Sequence, residues 1–174
     1  MPGSSSLSRL LLALTAILAS SAAFAAPVSP ATNATGTAAI LHPLELIKKE
    51  DLDFGYVAPA TGAGTVVVDP VANTTTATGG VVLLGGAPHA ALFTGAAKSN
   101  AVVIIRIPKQ PITLTRVGGT ESMIVSKFTL EGLDKRAVAA MAAFDFRVGA
   151  TLNVGANQAD GLYVGTFEVS VQYP

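Results

Sequence analysis

Two aspartates separated by one residue have the residue types and spacing of a candidate acid–base pair. Asp51 and Asp53 flank Leu52, and alternating side-chain directions would place both carboxylates on one face of a strand. A carboxylate pair can act as general acid and base. Because Lys48 and Lys49 stand close by and nothing nearby indicates a desolvated cleft, we interpret this segment as a solvated, charged strand end.

The other candidates for chemistry are two histidines and several glycine pairs. His42 and His89 each adjoin a proline, and neither lies in a cluster of residues that could hold a metal ion. The chain has no cysteine, which excludes thiol catalysis, and it lacks the Gly-x-Ser-x-Gly motif of serine hydrolases. No glycine pair precedes the Lys-Ser/Thr pair of a phosphate loop. The sequence predicts no catalytic residue, no metal site and no cofactor, so we expect a protein that is not an enzyme.

The amino terminus has the pattern of a secretory signal peptide. Arg9 precedes the apolar run Leu10–Ala19, and Ala23–Phe24–Ala25 matches the small-x-small cleavage pattern. The run is shorter than the about 20 residues that a transmembrane helix needs. We expect removal of residues 1–25, passage through the periplasm to the cell surface or the medium, and no stable membrane insertion.

The rest of the chain divides into an arm and one domain. Residues 26–37 are rich in Pro, Ser, Thr, Ala and Asn and predict an extended arm, and residues 38–174 are long enough for a single core without disulfides. After cleavage, ten Lys and Arg stand against eleven Asp and Glu. Without a basic stripe, a nucleic acid is not an expected partner.

Residues 38–174 read as short strands separated by turns. Eight to ten apolar segments are punctuated by Gly, Pro, Asn and Thr at intervals typical of an all-β antiparallel sandwich. No helix-length crossover separates them, which argues against a parallel sheet. Residues 134–143 alone have helix propensity, and one or two helical turns are predicted there, although helices this short are marginal.

The last segment, Gly161–Tyr173, is the clearest strand. Its odd positions are glycine, aromatic or valine, whereas the even positions become polar toward the end. Since side chains in a strand alternate between two faces, one face of this segment is predicted to be apolar.

Four motifs together carry a family resemblance: Leu52–Gly55, Thr78–Gly86, Gly149–Gln158 and Gly161–Tyr173. In this order and spacing they resemble the bacterial secreted family catalogued as domain of unknown function 4402, over about residues 38–174. The resemblance implies export and an immunoglobulin-like, Greek-key sandwich, and it assigns no activity.

The last segment also resembles, more distantly, the end of chaperone–usher pilus subunits, including the spore coat protein U type. Gly161 is the fourteenth residue from the terminus and Tyr173 is penultimate, as in those subunits. There the sandwich lacks one strand, and a periplasmic chaperone fills the resulting hydrophobic groove until the amino-terminal arm of another subunit replaces it. The resemblance therefore implies a chaperone, an usher and related subunits, or further copies of this chain, as partners.

Two functions remain open. In the first, a fimbria-like assembly forms by donor-strand addition, with a groove edge at Gly161, Tyr163, Phe167, Val169, Val171 and Tyr173 and a donor arm at Val28, Thr32, Ala34, Ala38 and Ile40. About 13 residues at ~3.3 Å each give that arm a reach of roughly 43 Å. In the second, the domain completes its own sandwich as a monomeric secreted or cell-surface binding or matrix module, and its last strand is an ordinary half-buried one.

Overall fold

The structure is a computed structural model that describes residues 36, 38, 44–139 and 143–174. In the unit Met1–Ala39, the two described residues, Gly36 and Ala38, are exposed and belong to no strand. All described strands lie in the unit Ile40–Pro174. They are β1 (Glu45–Glu50), β2 (Tyr56–Asp69), β3 (Thr74–Gly85), β4 (Ala91–Ala96), β5 (Val102–Arg106), β6 (Ile112–Arg116), β7 (Ser122–Leu130), β8 (Lys135–Ala137), β9 (Ala143–Val154), β10 (Tyr163–Val164) and β11 (Ser170–Gln172).

Eight strands form the larger sheet around β9. One edge of β9 pairs first with β4 and then with β2, whose other edge carries β3, and the opposite edge pairs with β7. The sheet continues from β4 to β1 and from β7 through β6 to β10. Gly149 permits a close approach between β9 and β2, because a Cβ there would lie 2.1 Å from the carbonyl oxygen of Val68.

The smaller sheet contains three strands in the order β11–β5–β8. β8 lies where the sequence predicts a helical turn, and that prediction is wrong for residues 134–139; residues 140–142 lie outside the described part. Lys135–Ala137 pair with Val102–Ile104, and Val138, 3% exposed, donates its N–H to the carbonyl of Ala101. Strand pairing of Lys135–Ala137 and burial of Val138 outweigh the weak local preference for a short helix.

Most of the described core residues fall into two clusters of buried side chains. The first cluster joins β2, β3, β7 and β9 and includes Val66, Val125 and Leu152. The second includes Phe93, Ile105 and Phe146, and the rings of Phe93 and Phe146 stack with centroids 5.4 Å apart. Leu52 and Phe128 contact both clusters.

The prediction of an all-β, immunoglobulin-like antiparallel sandwich is confirmed. Every described strand pair is antiparallel, and several neighbours, such as β1 and β4, are not consecutive in the chain and require crossover connections. In the smaller sheet, Ile105 packs against β4 and β9 of the larger one. The two sheets therefore share the second cluster.

Candidate functional site

The last segment of the chain forms a terminal strand in both sheets. Tyr163–Val164 pair with Thr115–Arg116 at one end of the larger sheet, and Ser170–Gln172 pair with Ile104–Arg106 at one end of the smaller sheet. Within the described part of the chain, neither β10 nor β11 has a second neighbouring strand. An unpaired strand edge is a template to which another strand can bind.

Between β10 and β11 the segment crosses from one sheet to the other. Residues 165–169 belong to no strand, and no backbone hydrogen bond joins Thr166, Phe167 or Glu168 to another described residue. No described residue therefore competes with a partner or with water for these backbone groups.

Side chains of the segment alternate between half-buried and exposed. Tyr163 packs against the first cluster, and Phe167, Val169 and Val171 pack against the second. Phe167 lies 5.1 Å from Phe128, measured between ring centroids. The apolar odd-numbered face thus contacts both parts of the core.

Hydrogen bonds fix the segment near both ends. The Tyr163 hydroxyl donates to the carbonyl of Ala159 at 2.7 Å and accepts from the Gln158 amide at 2.8 Å. The Tyr173 hydroxyl accepts the backbone N–H of Lys98 at 3.1 Å. These bonds hold the segment along the edges of the sheets.

Arg116 supports the turn that precedes the segment. Its Nε donates to the carbonyl of Asp160 at 2.6 Å, and its Nη1 lies 3.3 Å from both carboxylate oxygens of Glu121. Backbone N–H groups at Glu121 and then the Arg116 guanidinium lower the pKa of that exposed carboxyl. The side chain also fills the space beside Gly161, where a Cβ would lie 2.6 Å from Nε.

A groove of about 890 Å³ lies along the first half of the segment. Its apolar residues come from β6, β7 and β9, from the first half of β2, from the stretch Leu52–Gly55 before it and from the segment itself. Residues that line it include Leu52, Phe54, Val57, Ile112, Leu114, Met123, Val125, Leu152, Val154, Leu162, Tyr163, Val164 and Phe167. A mostly apolar concave surface with few polar groups is typical of a binding site.

The charged residues of the groove that the structure describes are acidic. Asp51, Asp53 and Asp160 line it, whereas no Lys, Arg or His does so among the described residues. Asp51 pairs with Lys48, and Asp53 accepts the backbone N–H of Gly55 at 2.7 Å. The Asp160 carboxylate makes no hydrogen bond or ion pair with another described residue.

The residues that the sequence assigned to the groove edge divide into two groups. Gly161, Tyr163 and Phe167 line the groove, whereas Val169, Val171 and Tyr173 continue beyond it. Val171 there pairs with Ile105 of β5. Of the predicted donor residues, Ala38 is exposed and in no strand, and the others lie outside the described residues: Val28, Thr32, Ala34 and Ile40.

The floor and the opposite wall of the groove were not assigned from the sequence. Met123 and Val125 alternate with exposed residues in β7, a signal that reveals a buried face but not what it faces. Leu52–Gly55 stood out only as a motif, and in the structure this stretch forms part of the groove wall. Its position depends on a two-residue bridge in which the backbones of Asp53 and His89 exchange hydrogen bonds.

No group of three potential metal ligands occurs within the described residues. The His89 ring donates its Nδ1–H to the Ala87 carbonyl at 2.8 Å, and His42 lies outside the described residues. Within the same part of the chain, no helix has the length and hydropathy required to cross a membrane.

Comparison with known proteins gives one match. The family described as Domain of unknown function (DUF4402) matches residues 44–173. Neither the curated proteins nor the solved structures include a match.

Proposed function

Because the chain belongs to the DUF4402 family, whose description assigns no activity, we propose its function from the groove and the last segment. It is a non-enzymatic, exported structural protein that joins related subunits by donor-strand addition in a fimbria-like surface assembly. One observation carries this proposal: Gly161–Pro174 contributes a terminal strand to each of the two sheets, and its first half lines a largely apolar groove.

An added strand would fill the apolar groove with side chains and bind the backbone groups of the edge at the same time. Backbone groups of the incoming strand would bind the edge around Thr166–Glu168, where no described backbone partner is present. Its alternate side chains would enter the groove above Leu114 and Met123. Backbone bonds would supply affinity and the side chains would set the register, as in other cases of strand addition.

Two other terminal strands of the larger sheet lack the combination that this role requires. β1 contains four charged residues among its six, Glu45, Lys48, Lys49 and Glu50, and charges on an edge discourage pairing. β3 pairs only with β2 among the described strands and has no charged residue, but it does not line the groove. The last segment has an apolar face and lines the groove, which favours it as the acceptor.

The donor in this proposal is the arm around Val28–Ile40 of another copy or of a related subunit. A periplasmic chaperone and an usher would handle the chain during export, and the assembly would stand at the cell surface. Neither nucleic acid nor a bilayer is part of the mechanism.

One observation favours a second candidate, a monomeric secreted or cell-surface binding or matrix module. The last segment already pairs with β6 and β5 of its own chain, and its apolar face contacts both core clusters. A sandwich completed in this way would not require a partner strand for stability.

Removal of the arm distinguishes the two candidates. We expect a chain without residues 26–37 to be secreted and folded, judged by circular dichroism, but unable to form polymers in size-exclusion chromatography and negative-stain microscopy. Polymers as abundant as those of the complete chain would rule out the arm as donor. A complete chain that stays monomeric at all concentrations would favour the second candidate.

A substitution on the acceptor side tests the edge itself. Thr166→Pro removes one backbone N–H that has no described partner. The association constant for polymer formation should therefore fall by about fivefold, which corresponds to the loss of one hydrogen bond. Thr166→Ala retains the N–H and is the matched control. Equal assembly by both variants would show that an incoming strand does not use this edge.

A further inference from the structure

The groove is mostly apolar, but it also carries charged residues, and those that the structure describes are negative. Asp51, Asp53 and Asp160 are the charged residues that line it within the described part of the chain. An occupant without a cationic group would leave these carboxylates beside an apolar strand, with less water to solvate them. Such partial desolvation without compensation is unfavourable.

Asp160 is the one of the three whose carboxylate makes no hydrogen bond or ion pair with a described residue. Lys48 pairs with Asp51, and the N–H of Gly55 binds Asp53. Arg116 donates its Nε–H to the backbone carbonyl of Asp160 and pairs through Nη1 with Glu121. The Asp160 carboxylate is therefore available to a group from outside the described residues.

The chain's own arm offers no side chain that would complement this carboxylate. Residues 26–41 contain no Lys, Arg or His, and no acidic residue either. An arm of this composition could fill apolar space, but it could not form an ion pair through its side chains.

We propose that the preferred occupant of the groove is an extended apolar segment of a different polypeptide that carries a Lys or Arg beside Asp160. This inference rests on the proposed function, since it assumes that a strand binds in the groove. It adds the chemistry of the partner: a basic strand from another protein is selected over the uncharged arm of an identical copy. Charge complementarity of this kind contributes more to the choice of partner than to total affinity.

The test uses dye-labelled peptides and the complete, secreted chain. The reference peptide has the sequence of residues 26–40 with an acetylated amino terminus, so that its α-ammonium cannot act as the cation. Three further peptides carry one substitution each, Ser29→Lys, Asn33→Lys or Thr37→Lys, at positions that alternate with the predicted groove-facing residues. A Thr37→Glu peptide is the control for added polarity.

Fluorescence anisotropy then measures the affinity of each peptide at low and high salt. We expect at least one lysine peptide to bind about two- to fivefold more tightly than the reference, the range of a partly exposed ion pair. The gain should decrease at high salt, because mobile ions screen such pairs. The glutamate peptide should bind more weakly than the reference.

Two variants of the protein assign the effect to one carboxylate. Asp160→Asn leaves the described hydrogen bonds intact, since only the backbone oxygen of this residue is bonded, and it should abolish the gain from lysine. Glu45→Gln, a change at an exposed carboxylate of β1 that does not line the groove, should preserve the gain.

The possible results separate the two proposals. Equal binding of the lysine and reference peptides, or a lysine gain that persists in Asp160→Asn, would overturn the inference and leave strand addition standing. Failure of every peptide to bind would overturn strand addition, and the inference with it.

Discussion

Gly165 provides a sharp test of how the last segment lies on the larger sheet. A Cβ at this position would be 2.6 Å from the carbonyl oxygen of Thr113 and 2.7 Å from Cδ2 of Leu114. Ordinary contact begins at 3.4 Å, so Gly165→Ala must displace the segment from β6 by close to 0.8 Å. Overpacking of this kind costs about 1–3 kcal/mol of folding free energy.

Gly62 is the matched control, because the same substitution there should have the opposite sign. No atom lies within 4 Å of a Cβ built on Gly62, and its φ is outside the left-handed region. Gly62→Ala should therefore stabilise the protein by about 0.4–1 kcal/mol, since alanine restricts the unfolded chain.

Urea unfolding followed by circular dichroism measures both effects without relying on tryptophan, which the chain lacks. With a slope of about 2 kcal/mol per molar urea, Gly165→Ala should lower the midpoint by roughly 0.5–1.5 M. The Gly62→Ala midpoint should rise. An unchanged or higher midpoint for Gly165→Ala, at an unchanged slope, would refute the close approach of the segment to β6.

Two further changes test the groove's surroundings. Tyr163→Phe removes the hydroxyl that bonds Ala159 and Gln158 and should lower the free energy of unfolding in urea by about 1–2 kcal/mol. The control Tyr56→Phe, at an exposed position, should change it by under about 0.5 kcal/mol. Equal effects of the two substitutions would contradict the hydrogen bonds of Tyr163. The Glu121 carboxyl should titrate below its usual 4.5 in NMR, because neighbouring N–H groups and a guanidinium favour the carboxylate. The contribution of this carboxylate to stability is then complete above pH 4.5 and is lost as the pH falls through the folded-state pKa. A titration midpoint for Glu121 at or above 4.5 would contradict this prediction.

Local pattern predicted the last segment well. Its period-two alternation requires only that the segment be extended with one face against a core, and the half-buried odd positions at Tyr163, Phe167 and Val171 follow from it. The same pattern could not show that Tyr163 contacts one core cluster and Phe167 the other. That division arises because the segment crosses between sheets at Gly165–Val169, where it leaves both ladders.

The stretch 134–139 shows where local pattern failed. Its alanines and charges favour a helix in isolation, but β5 offers an edge that binds Lys135–Ala137, and Val138 gains burial beside it. Tertiary pairing of this kind is invisible to propensity, because the partner strand lies about 30 residues earlier in the chain.

The amino-acid sequence by itself determined the all-β class, the apolar face of the last strand and the near-balance of charge. Each of these depends on residue type and short-range periodicity, which are properties of the chain before it folds. The tertiary structure alone decided that β10 and β11 end two different sheets, that β6, β7 and β9 provide the groove floor, and that its charged lining residues are acidic. These features depend on which strands become neighbours, a choice made by long-range pairing and burial rather than by any one segment.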